Sequence, residues 1–328
     1  MNKYKKILDN LYNVPSVCLI GHMDPDADAL CSMVIMREFL MKQFGIKKVD
    51  LFAENETIPQ NYLSILENIK LNKSCTKYHT AIMMDSPNLD RIGIFKSLFE
   101  SAKQKIVIDH HDTNLKNGDY NIVEIVSSTC EIVYKILKAY NYKFSSKIYG
   151  KIYAGLITDT NNFSVGAITS DTFKIASACF NYIDSSAIYN NFFNNNTIRN
   201  MHLLALAIQN VITLEDGKII LTQVTKEQAS LYKAKFDDYT GIINRLATIA
   251  GSCLVCFVQP KGNAYYVSMR ARRGYDVASI AKKFGGGGHV GAAAYLSKKS
   301  IKEIEEEVLK EFLDQIHNRK NPITKIFY

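Results

Sequence analysis

Four short apolar runs in the first half of the chain have strand-like composition, and segments of helical spacing alternate with them. The runs occupy residues 17–20, 81–84, 106–108 and 154–158. Apolar positions recur at helical spacing over residues 29–44, 127–140 and 145–157, so that the fourth run closes a helical segment. The hydroxyl residues at 127–129 suit the N-terminal cap of the second helix. Alternation of strands and helices predicts a parallel sheet covered by helices, an α/β fold.

The pattern changes in the second half of the chain. From 169 to 210 it is helical, and the Asn-rich stretch 190–196 within it is interpreted as a polar loop or hinge. Further on, strand-like runs and one amphipathic helix are predicted at residues 218–224, 253–258, 264–269 and 301–317. This order predicts a smaller C-terminal α/β domain with a mixed sheet.

A length of 328 residues allows two domains of ordinary size. We predict an N-terminal parallel-sheet domain over residues 1–188, which carries the functional site. A helical linker or hinge is expected over 189–212, and a substrate-binding domain over 213–328.

Acidic and histidine residues follow each of the four apolar runs. They are His22, Asp24, Asp26 and Asp28 after the first run, Asp85 after the second, Asp109, His110 and His111 after the third, and Asp159 after the fourth. In open α/β sheets ligands collect at the carboxyl ends of the strands, so these side chains are expected to converge. Neighbouring carboxylates repel one another unless a cation lies between them. The sequence therefore predicts a divalent-metal site built from four segments.

The residue types also limit which metal is expected. Imidazole mixed with carboxylate argues against calcium and favours manganese, zinc or iron. At least six candidate ligands favour two ions over one. Each cluster alone would also fit a structural role, because residues 24–28 could form a turn with capping carboxylates and Asp159 could end a helix. The coincidence of all four clusters favours the metal site.

The third cluster, Asp109, His110 and His111, resembles the signature of the DHH phosphoesterase superfamily, which includes RecJ nucleases, manganese pyrophosphatases and small-nucleotide phosphodiesterases. Segments 21–29, 84–91 and 155–160 resemble the other motifs of that superfamily, in order. Residues 267–270 and 285–293 together resemble the C-terminal domain that accompanies RecJ-like members. The resemblance spans almost the entire chain.

The resemblance implies two Mn²⁺ ions per active site, for which Mg²⁺ or Co²⁺ could substitute. The metal ligands it implies are His22, Asp26, Asp28, Asp85, His110 and Asp159, with Asp85 bridging the ions. The catalytic residues it implies are Asp85, Asp109 and His111, with Asp109 orienting its neighbour and His111 facing the phosphoryl oxygens. The substrate-binding residues it implies are Ser268, Arg270, Gly286, Gly287, Gly288 and His289, of which the arginine and the glycine backbone suit a phosphate.

Within the superfamily, the length and domain content resemble the short bifunctional oligoribonuclease and pAp phosphatase group. This implies a manganese-dependent phosphodiesterase that hydrolyses very short RNA and linear dinucleotides such as pGpG and pApA, and that acts as a 3′-phosphatase on pAp. A cyclic di-AMP phosphodiesterase and a RecJ-like single-strand DNA exonuclease are the alternatives. An inactive nucleotide-binding sensor is disfavoured, because it should have lost ligands and all six are present.

Composition adds expectations about partners and compartment. The formal charge of +8, from 40 basic and 32 acidic residues, suits anionic substrates. The chain has no basic recognition helix, zinc finger or RNP motif, so stable duplex binding is not expected. No apolar run approaches the ~18 residues of a membrane span, so no membrane partner is expected. Seven scattered cysteines and the lack of an evident signal peptide favour a cytoplasmic enzyme. The sequence leaves the oligomeric state open, with a homodimer as one option.

Overall fold

The computed structural model describes residues 2–55, 58–73, 77–272 and 274–318, with the backbone alone at positions 60 and 289. The described residues up to Asn195 form one compact unit, and those from Asn196 onwards form a second. Each unit has its own sheet and its own apolar cores. The two units are therefore described one at a time.

Helices and strands alternate along the first unit as far as β4, and β5 and four successive helices follow. Its helices and strands are α1 (Lys3–Leu8), β1 (Ser16–Ile20), α2 (Ala27–Gln43), β2 (Lys48–Phe52), α3 (Leu63–Leu66), β3 (Thr80–Met84), α4 (Lys96–Glu100), β4 (Gln104–Asp109), β5 (Tyr120–Val123), α5 (Thr129–Ala139), α6 (Ser146–Asp159), α7 (Ser170–Phe180) and α8 (Ser185–Phe193). The first three predicted strands and all three predicted helices are present within a few residues of their expected ends.

The sheet of the first unit has the order β2-β1-β3-β4-β5, and every neighbouring pair is parallel. Successive residues of a strand face opposite sides of a sheet. Accordingly, Val17 and Leu19 join the larger core with α2, α5 and α6, whereas Cys18 and Ile20 join a smaller core with Phe99 of α4. Helices cover both faces, so the predicted helix-covered parallel sheet is confirmed.

One local interpretation of the sequence is confirmed and another was wrong. Residues 154–158 have strand-like composition but belong to α6, as their position at the end of the predicted helix indicated, because a short apolar run alone does not distinguish a strand from the buried side of a helix. Residues 190–193, interpreted as part of a polar loop, form the end of α8. Phe192 and Phe193 pack against the larger core, and this packing outweighs the low helix propensity of the neighbouring asparagines.

The second unit begins with a helix and continues with a sheet. Its helices and strands are α9 (Ile198–Gln209), β6 (Ile212–Leu214), β7 (Ile219–Gln223), α10 (Lys226–Leu231), α11 (Ile242–Leu246), β8 (Leu254–Lys261), β9 (Ala264–Ala271), α12 (Val277–Lys283), β10 (Gly287–His289), β11 (Ala292–Ser297) and α13 (Ile301–His317). The sheet order is β10-β11-β9-β8-β7-β6. Only β7 and β8 pair in parallel, so the predicted mixed sheet is confirmed.

This second sheet is also covered on both faces. Cys256 and Val258 of β8 pack in a core with α12 and α13. Val255 and Phe257 of the same strand pack in a core with α9 and α11. The helix α9 therefore belongs to the second unit, and the division at Asn195 falls inside the segment that we predicted as a linker.

Candidate metal centre

Three neighbouring strands end at the position of the predicted metal site. β3 lies between β1 and β4 in the sheet, and all three strands are parallel, so their carboxyl ends share one edge. His22 follows β1, Asp85 follows β3, and Asp109 is the last residue of β4. This is the edge at which ligands bind in open α/β sheets.

Two helices bring the remaining acidic residues to the same edge. Asp26 and Asp28 lie at the start of α2, and Asp159 is the last residue of α6. A Cβ atom on Gly155 of α6 would lie 2.5 Å from Asp28 Oδ1 and would overlap Cys130 Sγ. The close approach of α6 to α2 therefore requires glycine at this position.

The structure brings all six predicted ligands together. In the part of the chain that it describes, donor atoms of three residues lie within 4.8 Å of one another in three overlapping sets. The sets are Asp85, His110 and His111; His22, Asp26 and Asp85; and Asp28, His110 and Asp159. Asp85 and His110 each belong to two sets. Asp24, which also follows the first apolar run, is exposed and belongs to none of them.

The distances between the donor atoms suit a shared cation. His22 Nε2 lies 3.9 Å from Asp26 Oδ2 and 3.9 Å from Asp85 Oδ2. His110 Nε2 lies 3.5 Å from Asp85 Oδ1 and 3.4 Å from Asp159 Oδ2. Ligands that share one ion through bonds of about 2.0–2.2 Å lie roughly 3–4 Å apart, so these pairs could hold a cation between them. Carboxylate oxygen with imidazole nitrogen is a donor set suited to manganese, zinc or iron.

Both imidazoles are oriented by backbone carbonyl groups. His22 Nδ1 lies 2.8 Å from the carbonyl oxygen of Met23, and His110 Nδ1 lies 3.1 Å from that of Val126. A proton on Nδ1 donates to each carbonyl, which leaves Nε2 to face the carboxylates. Metal-binding histidines are commonly held in this way.

The two carboxylate oxygens of Asp26 have different contacts, one that caps α2 and one that faces the candidate metal site. Its Oδ1 accepts a hydrogen bond of 3.0 Å from the backbone N–H of Ala29, which caps α2. Its Oδ2 faces His22. The capping role and the ligand role, which the sequence presented as alternatives, are therefore compatible.

Asp28 is fully buried and joins α2 to α5. Its Oδ2 accepts from the backbone N–H of Thr129 at 2.7 Å, and its Oδ1 accepts from that of Cys130 at 3.0 Å. These N–H groups begin α5, where the helix dipole favours a negative charge. The carboxylate is thereby fixed in position beside His110 and Asp159.

Asp85 lies at the centre of the cluster and is only 2 % exposed. Its φ of 53° is in the left-handed region, which aspartate tolerates better than most residues. Its backbone N–H donates to the Ile108 carbonyl at 3.0 Å, and its Oδ1 accepts from the Thr129 hydroxyl at 2.9 Å. Backbone and side chain are therefore both held, with Oδ2 directed towards His22.

Asp109 is fully buried and orients His111. Its Oδ1 lies 2.8 Å from His111 Nδ1, and its Oδ2 accepts a hydrogen bond of 2.6 Å from Asn114 Nδ2. Burial alone would raise the pKa of Asp109, but the hydrogen bond and the charge of His111 outweigh burial and lower it. Asp109 therefore stays ionised and keeps a proton on Nδ1 of His111.

Burial and repulsion between neighbouring carboxylates disfavour the charged forms of Asp28, Asp85 and Asp159. Burial, together with the charges of Asp85 and Asp159, raises the pKa of Asp28 well above its usual value. Burial and the charge of Asp26 raise the pKa of Asp85. Burial raises the pKa of Asp159 to about 7, although the charge of His110 opposes the shift. A divalent cation among these oxygens would relieve the repulsion, so the residues present fit a metal ion.

For the two histidines and Asp26, in contrast, the surroundings favour the charged form. Burial lowers the pKa of His22 and His110, but the neighbouring carboxylates outweigh it and raise both values to about 9. Burial likewise opposes ionisation of Asp26, yet His22 lowers its pKa to about 2. Positive charge at the centre of the cluster is therefore stabilised strongly, whether a proton or a metal ion carries it.

Sequence reasoning missed two residues of this network, Thr129 and Asn114. Residues 127–129 were interpreted only as a helix cap, and Ser128 alone provides that cap, accepting from the Glu131 N–H at 3.1 Å. One hydroxyl residue is sufficient to cap a helix, so the presence of three at 127–129 was the sequence feature that could have indicated a further role for Thr129. For Asn114, five residues after Asp109 in a loop, the sequence carried no comparable signal.

The predicted substrate-binding residues Ser268 and Arg270 lie on β9 of the second unit. The Ser268 hydroxyl donates to the Phe257 carbonyl at 3.3 Å and is buried. The Arg270 guanidinium donates through Nε to Asn244 Oδ1 at 2.9 Å and through one terminal nitrogen to the Met269 carbonyl at 3.0 Å. Asn244 therefore holds the Arg270 side chain in a defined orientation.

The glycine run of the second unit leads into the edge strand β10, which pairs with β11. A Cβ at Gly286 would overlap the backbone of β11, and a Cβ at Gly288, where φ is 141°, would lie 2.5 Å from the Ala292 carbonyl oxygen. Of the three glycines predicted to bind substrate, Gly287 alone has open space where a Cβ would lie. The side chain of His289 lies outside the described part of the chain. Strand packing thus accounts for two of the three predicted glycines, independently of any ligand.

Comparison with known proteins identifies both units. Residues 16–158 match the DHH family, N-terminal domain, and residues 218–320 match the DHHA1 domain. A probable bifunctional oligoribonuclease and PAP phosphatase NrnA from Streptococcus mutans is 26 % identical over 292 residues, covering 88 % of this chain and 92 % of that protein. The bifunctional oligoribonuclease and PAP phosphatase NrnA from Bacillus subtilis is 26 % identical over 280 residues, covering 84 % and 87 %.

Solved structures include one with the same fold along nearly the whole chain. An exopolyphosphatase-related protein from Bacteroides fragilis superposes with a TM-score of 0.88 at 22 % identity, covering 96 % of this chain and 97 % of that one. Among the described residues, no helix combines the length and the hydrophobicity that crossing a bilayer requires.

The two matched domains stand in the order that the sequence motifs indicated. The donor sets lie at the carboxyl edge of the DHH sheet, and each of the four motifs contributes at least one aspartate or histidine to them. The chain therefore belongs to the DHH family of phosphoesterases, carries a DHHA1 domain after its DHH domain, and is a hydrolase that acts on ester bonds.

Proposed function

We propose that this hydrolase is a manganese-dependent phosphodiesterase that cleaves very short RNA and linear dinucleotides, such as pGpG and pApA, to mononucleotides. We include the 3′-phosphate of pAp among its substrates. The observation that carries the proposal is the group of three overlapping donor sets around Asp85 and His110. The relatives named oligoribonuclease and PAP phosphatase, which align over more than four fifths of the chain, support the choice of substrate.

Two ions would be held by the six members of the donor sets other than His111, with Asp85 and His110 shared between sets; the six are His22, Asp26, Asp28, Asp85, His110 and Asp159. When bound, such ions neutralise charge on the phosphate and lower the pKa of water. The mixture of imidazole nitrogen and carboxylate oxygen suits manganese, zinc or iron, and the resemblance to the DHH superfamily favours manganese among them. The protein contributes rigidity, since backbone groups or neighbouring side chains hold Asp28, Asp85 and both imidazoles.

His111 would contact the phosphoryl group of the substrate. His111 Nδ1–H donates to Asp109, so Nε2 is the nitrogen left to face the substrate, and it would donate to a phosphoryl oxygen with the ring in its imidazolium form. Asn114 holds the second oxygen of Asp109, and the ring orientation is therefore set by a buried pair of hydrogen bonds. His111 and Asp109 would in this way position the phosphate for attack by water.

The rest of the substrate would bind the DHHA1 domain. Arg270, oriented by Asn244, would contact a phosphate, since a guanidinium can donate two parallel hydrogen bonds to it. The backbone around Gly287 would approach the same anion without interference from a side chain. Ser268 and His289 would complete this part of the site.

The test is product formation by the full-length protein, stripped of metal with a chelator and reloaded with Mn²⁺, Mg²⁺ or Co²⁺. The substrates, offered in parallel, are pApA, pGpG, pAp, cyclic di-AMP and a single-stranded DNA oligomer. We expect manganese-dependent cleavage of the linear dinucleotides and of pAp. Faster cleavage of cyclic di-AMP or of DNA would reject the substrate assignment, and absence of any turnover would reject the phosphodiesterase.

Two matched Asp→Asn variants test whether the activity depends on the donor sets. Asp85→Asn removes the carboxylate shared by two donor sets and is expected to lower the rate by about 100-fold or more. Asp24→Asn makes the same chemical change at an exposed residue of the same segment, whose φ of 51° asparagine also tolerates. It should stay within about twofold of the unmodified protein, as surface substitutions usually do.

A further inference from the structure

A cavity of about 880 Å³ lies in the first unit, apart from the metal centre. Its walls are formed by the second half of α2, the first half of α6 and the segment after α3. The metal centre uses the opposite ends of the same two helices. Lys147 in the cavity wall is twelve residues from Asp159 along α6, a separation of about 18 Å at 1.5 Å per residue. None of the lining residues belongs to the three donor sets.

The lining of this cavity is strongly basic. Its positive side chains are Arg37, Lys42, Lys70, Lys73, Lys147 and Lys151, and its negative ones are Glu38 and Glu67. Among the lining residues positive charges exceed negative ones by four, and the excess is three when Asp50, which pairs with Lys73 at 3.1 Å from outside the lining, is included. Such a concentration of one sign attracts an anionic ligand.

Glu67 occupies the position between two of these lysines. Its Oε2 lies 3.1 Å from Lys147 Nζ and its Oε1 lies 2.8 Å from Lys151 Nζ, and these charges lower the pKa of the carboxyl group. The backbone of Glu67 has φ 54° and ψ −112°, a sparsely populated conformation for a residue other than glycine. The carboxylate lies against both ammonium groups, in the place that a bound anion could take.

Two further features define the chemistry of the ligand. Ser145 caps the N-terminus of the fourteen-residue helix α6 in the cavity wall, and the helix dipole there favours negative charge. Val34, Met41 and Ile69 add an apolar strip that could contact a base or a sugar. The volume falls in the range of about 300–1,000 Å³ typical of small-molecule sites. These features together fit a nucleotide better than a bare phosphate or a polymer.

We propose that this cavity is a second binding site, which takes a small nucleotide with several phosphate groups, and that these phosphates displace Glu67 from Lys147 and Lys151. The ligand is bound here and is not cleaved, since the cavity lacks the donor sets of the metal centre. The proposal does not depend on the catalytic function inferred above.

The test is calorimetric titration of the metal-free, full-length protein with ATP, with tripolyphosphate and with a short RNA oligomer. Lys147→Gln combined with Lys151→Gln should weaken ATP binding by at least about tenfold, because two charges next to the phosphates are lost. Glu67→Gln should instead tighten it by roughly threefold or more, because the competing carboxylate is neutralised. Tripolyphosphate should bind more weakly than ATP because it lacks the base and sugar.

Lys174→Gln on α7 is the matched control, since Lys174 is also an ion-paired lysine, 73 % exposed, but lies outside the cavity. It should leave ATP binding unchanged, and thermal unfolding checks that each variant is folded. Equal weakening by Lys174→Gln and by the double lysine variant would overturn the site, and so would weaker binding by Glu67→Gln. Failure of ATP to bind, or binding of the RNA alone, would overturn the assignment to a small nucleotide.

Discussion

Gly155 decides how closely α6 approaches the metal centre. Glycine inside a helix costs roughly 1 kcal/mol relative to alanine, so its presence in α6 needs a reason. The reason is steric, because a Cβ would meet Asp28 Oδ1 at 2.5 Å and overlap Cys130 Sγ. The sequence shows a glycine in an apolar helical run, and only the packing of α6 explains it.

Gly155→Ala is therefore expected to destabilise the protein despite the better helix propensity of alanine. Overpacking in a dense core costs about 1–3 kcal/mol, which exceeds the gain of about 1 kcal/mol in propensity. The displaced Asp28 should also weaken manganese binding. Chemical denaturation and metal titration measure the two effects.

Gly150→Ala on the same helix is the matched control. A Cβ there would lie 3.7 Å from Ile188 Cδ1, which is ordinary van der Waals contact. This variant should be as stable as the unmodified protein or up to about 1 kcal/mol more stable. A Gly155→Ala protein of unchanged or higher stability would contradict the steric explanation.

At the scale of helices and strands, the elements with a continuous apolar pattern were predictable from the sequence, whereas β2, whose pattern a charged residue interrupts, was not. The helices α2, α5, α6 and α13 and the strands β1, β3 and β4 all follow from periodicity or from uniform apolar runs. The strand β2 was missed because it contains Asp50, a buried carboxylate that accepts from the Tyr78 hydroxyl at 2.8 Å and pairs with Lys73 at 3.1 Å. Its partners come from a later segment, so local sequence does not show that this charge is compensated.

The short helix α1 is held by a comparable network. Glu124 Oε1 accepts from the Tyr4 hydroxyl at 2.7 Å and lies 2.7 Å from Lys3 Nζ, and its Oε2 lies 3.6 Å from Lys135 Nζ. Burial would raise the pKa of Glu124, but these partners outweigh burial and lower it. A six-residue helix is marginal by itself, so this network and the burial of Leu8 hold α1 in place.

Glu124→Gln is expected to destabilise the protein by about 1–2 kcal/mol at pH 7. A carboxyl group with a lowered folded pKa contributes stability that is present above its unfolded pKa and is lost as the pH falls through the folded value. The difference between the variant and the unmodified protein should therefore shrink below about pH 4.5. Urea denaturation at several pH values measures this difference.

Glu38→Gln provides the comparison for this prediction. Glu38 pairs with Lys42 at 2.7 Å, four residues apart on α2, and its Oε1 also accepts a long hydrogen bond of 3.4 Å from the Tyr142 hydroxyl. Such a pair contributes about 0.3–0.5 kcal/mol, so the loss should be small at every pH. Equal losses for both variants would mean that the Glu124 network adds nothing beyond a surface ion pair.

At the scale of the whole molecule, the two units have separate cores, and the predicted metal ligands lie entirely in the first. Metal binding should therefore stabilise the first unit directly. Binding to the native state alone stabilises by RT ln(1 + [L]/Kd), which is about 2.7 kcal/mol at a metal concentration 100 times Kd.

Manganese at this concentration is expected to slow amide hydrogen exchange of β1, β3, α2 and α6 by up to about 100-fold, where exchange requires unfolding of the first unit. Exchange in β8 and β9 should change much less. Mass spectrometry of peptides from the two units measures both. Asp85→Asn should abolish the effect, and equal protection of both units would contradict a metal site confined to the first.

The sequence by itself determined the fold class, the strands that end at the site and the residue types that could bind a metal. These depend on local patterns, namely apolar runs, helical spacing and polar residues placed directly after them. Tertiary structure alone decided that Thr129 donates to Asp85, that Asn114 holds Asp109, that α6 packs on α2 at Gly155, and that six basic side chains surround one cavity. Some of these contacts join residues far apart along the chain, and others use one of several similar polar side chains in the same segment. Local sequence does not show which contacts form, because packing in three dimensions determines them.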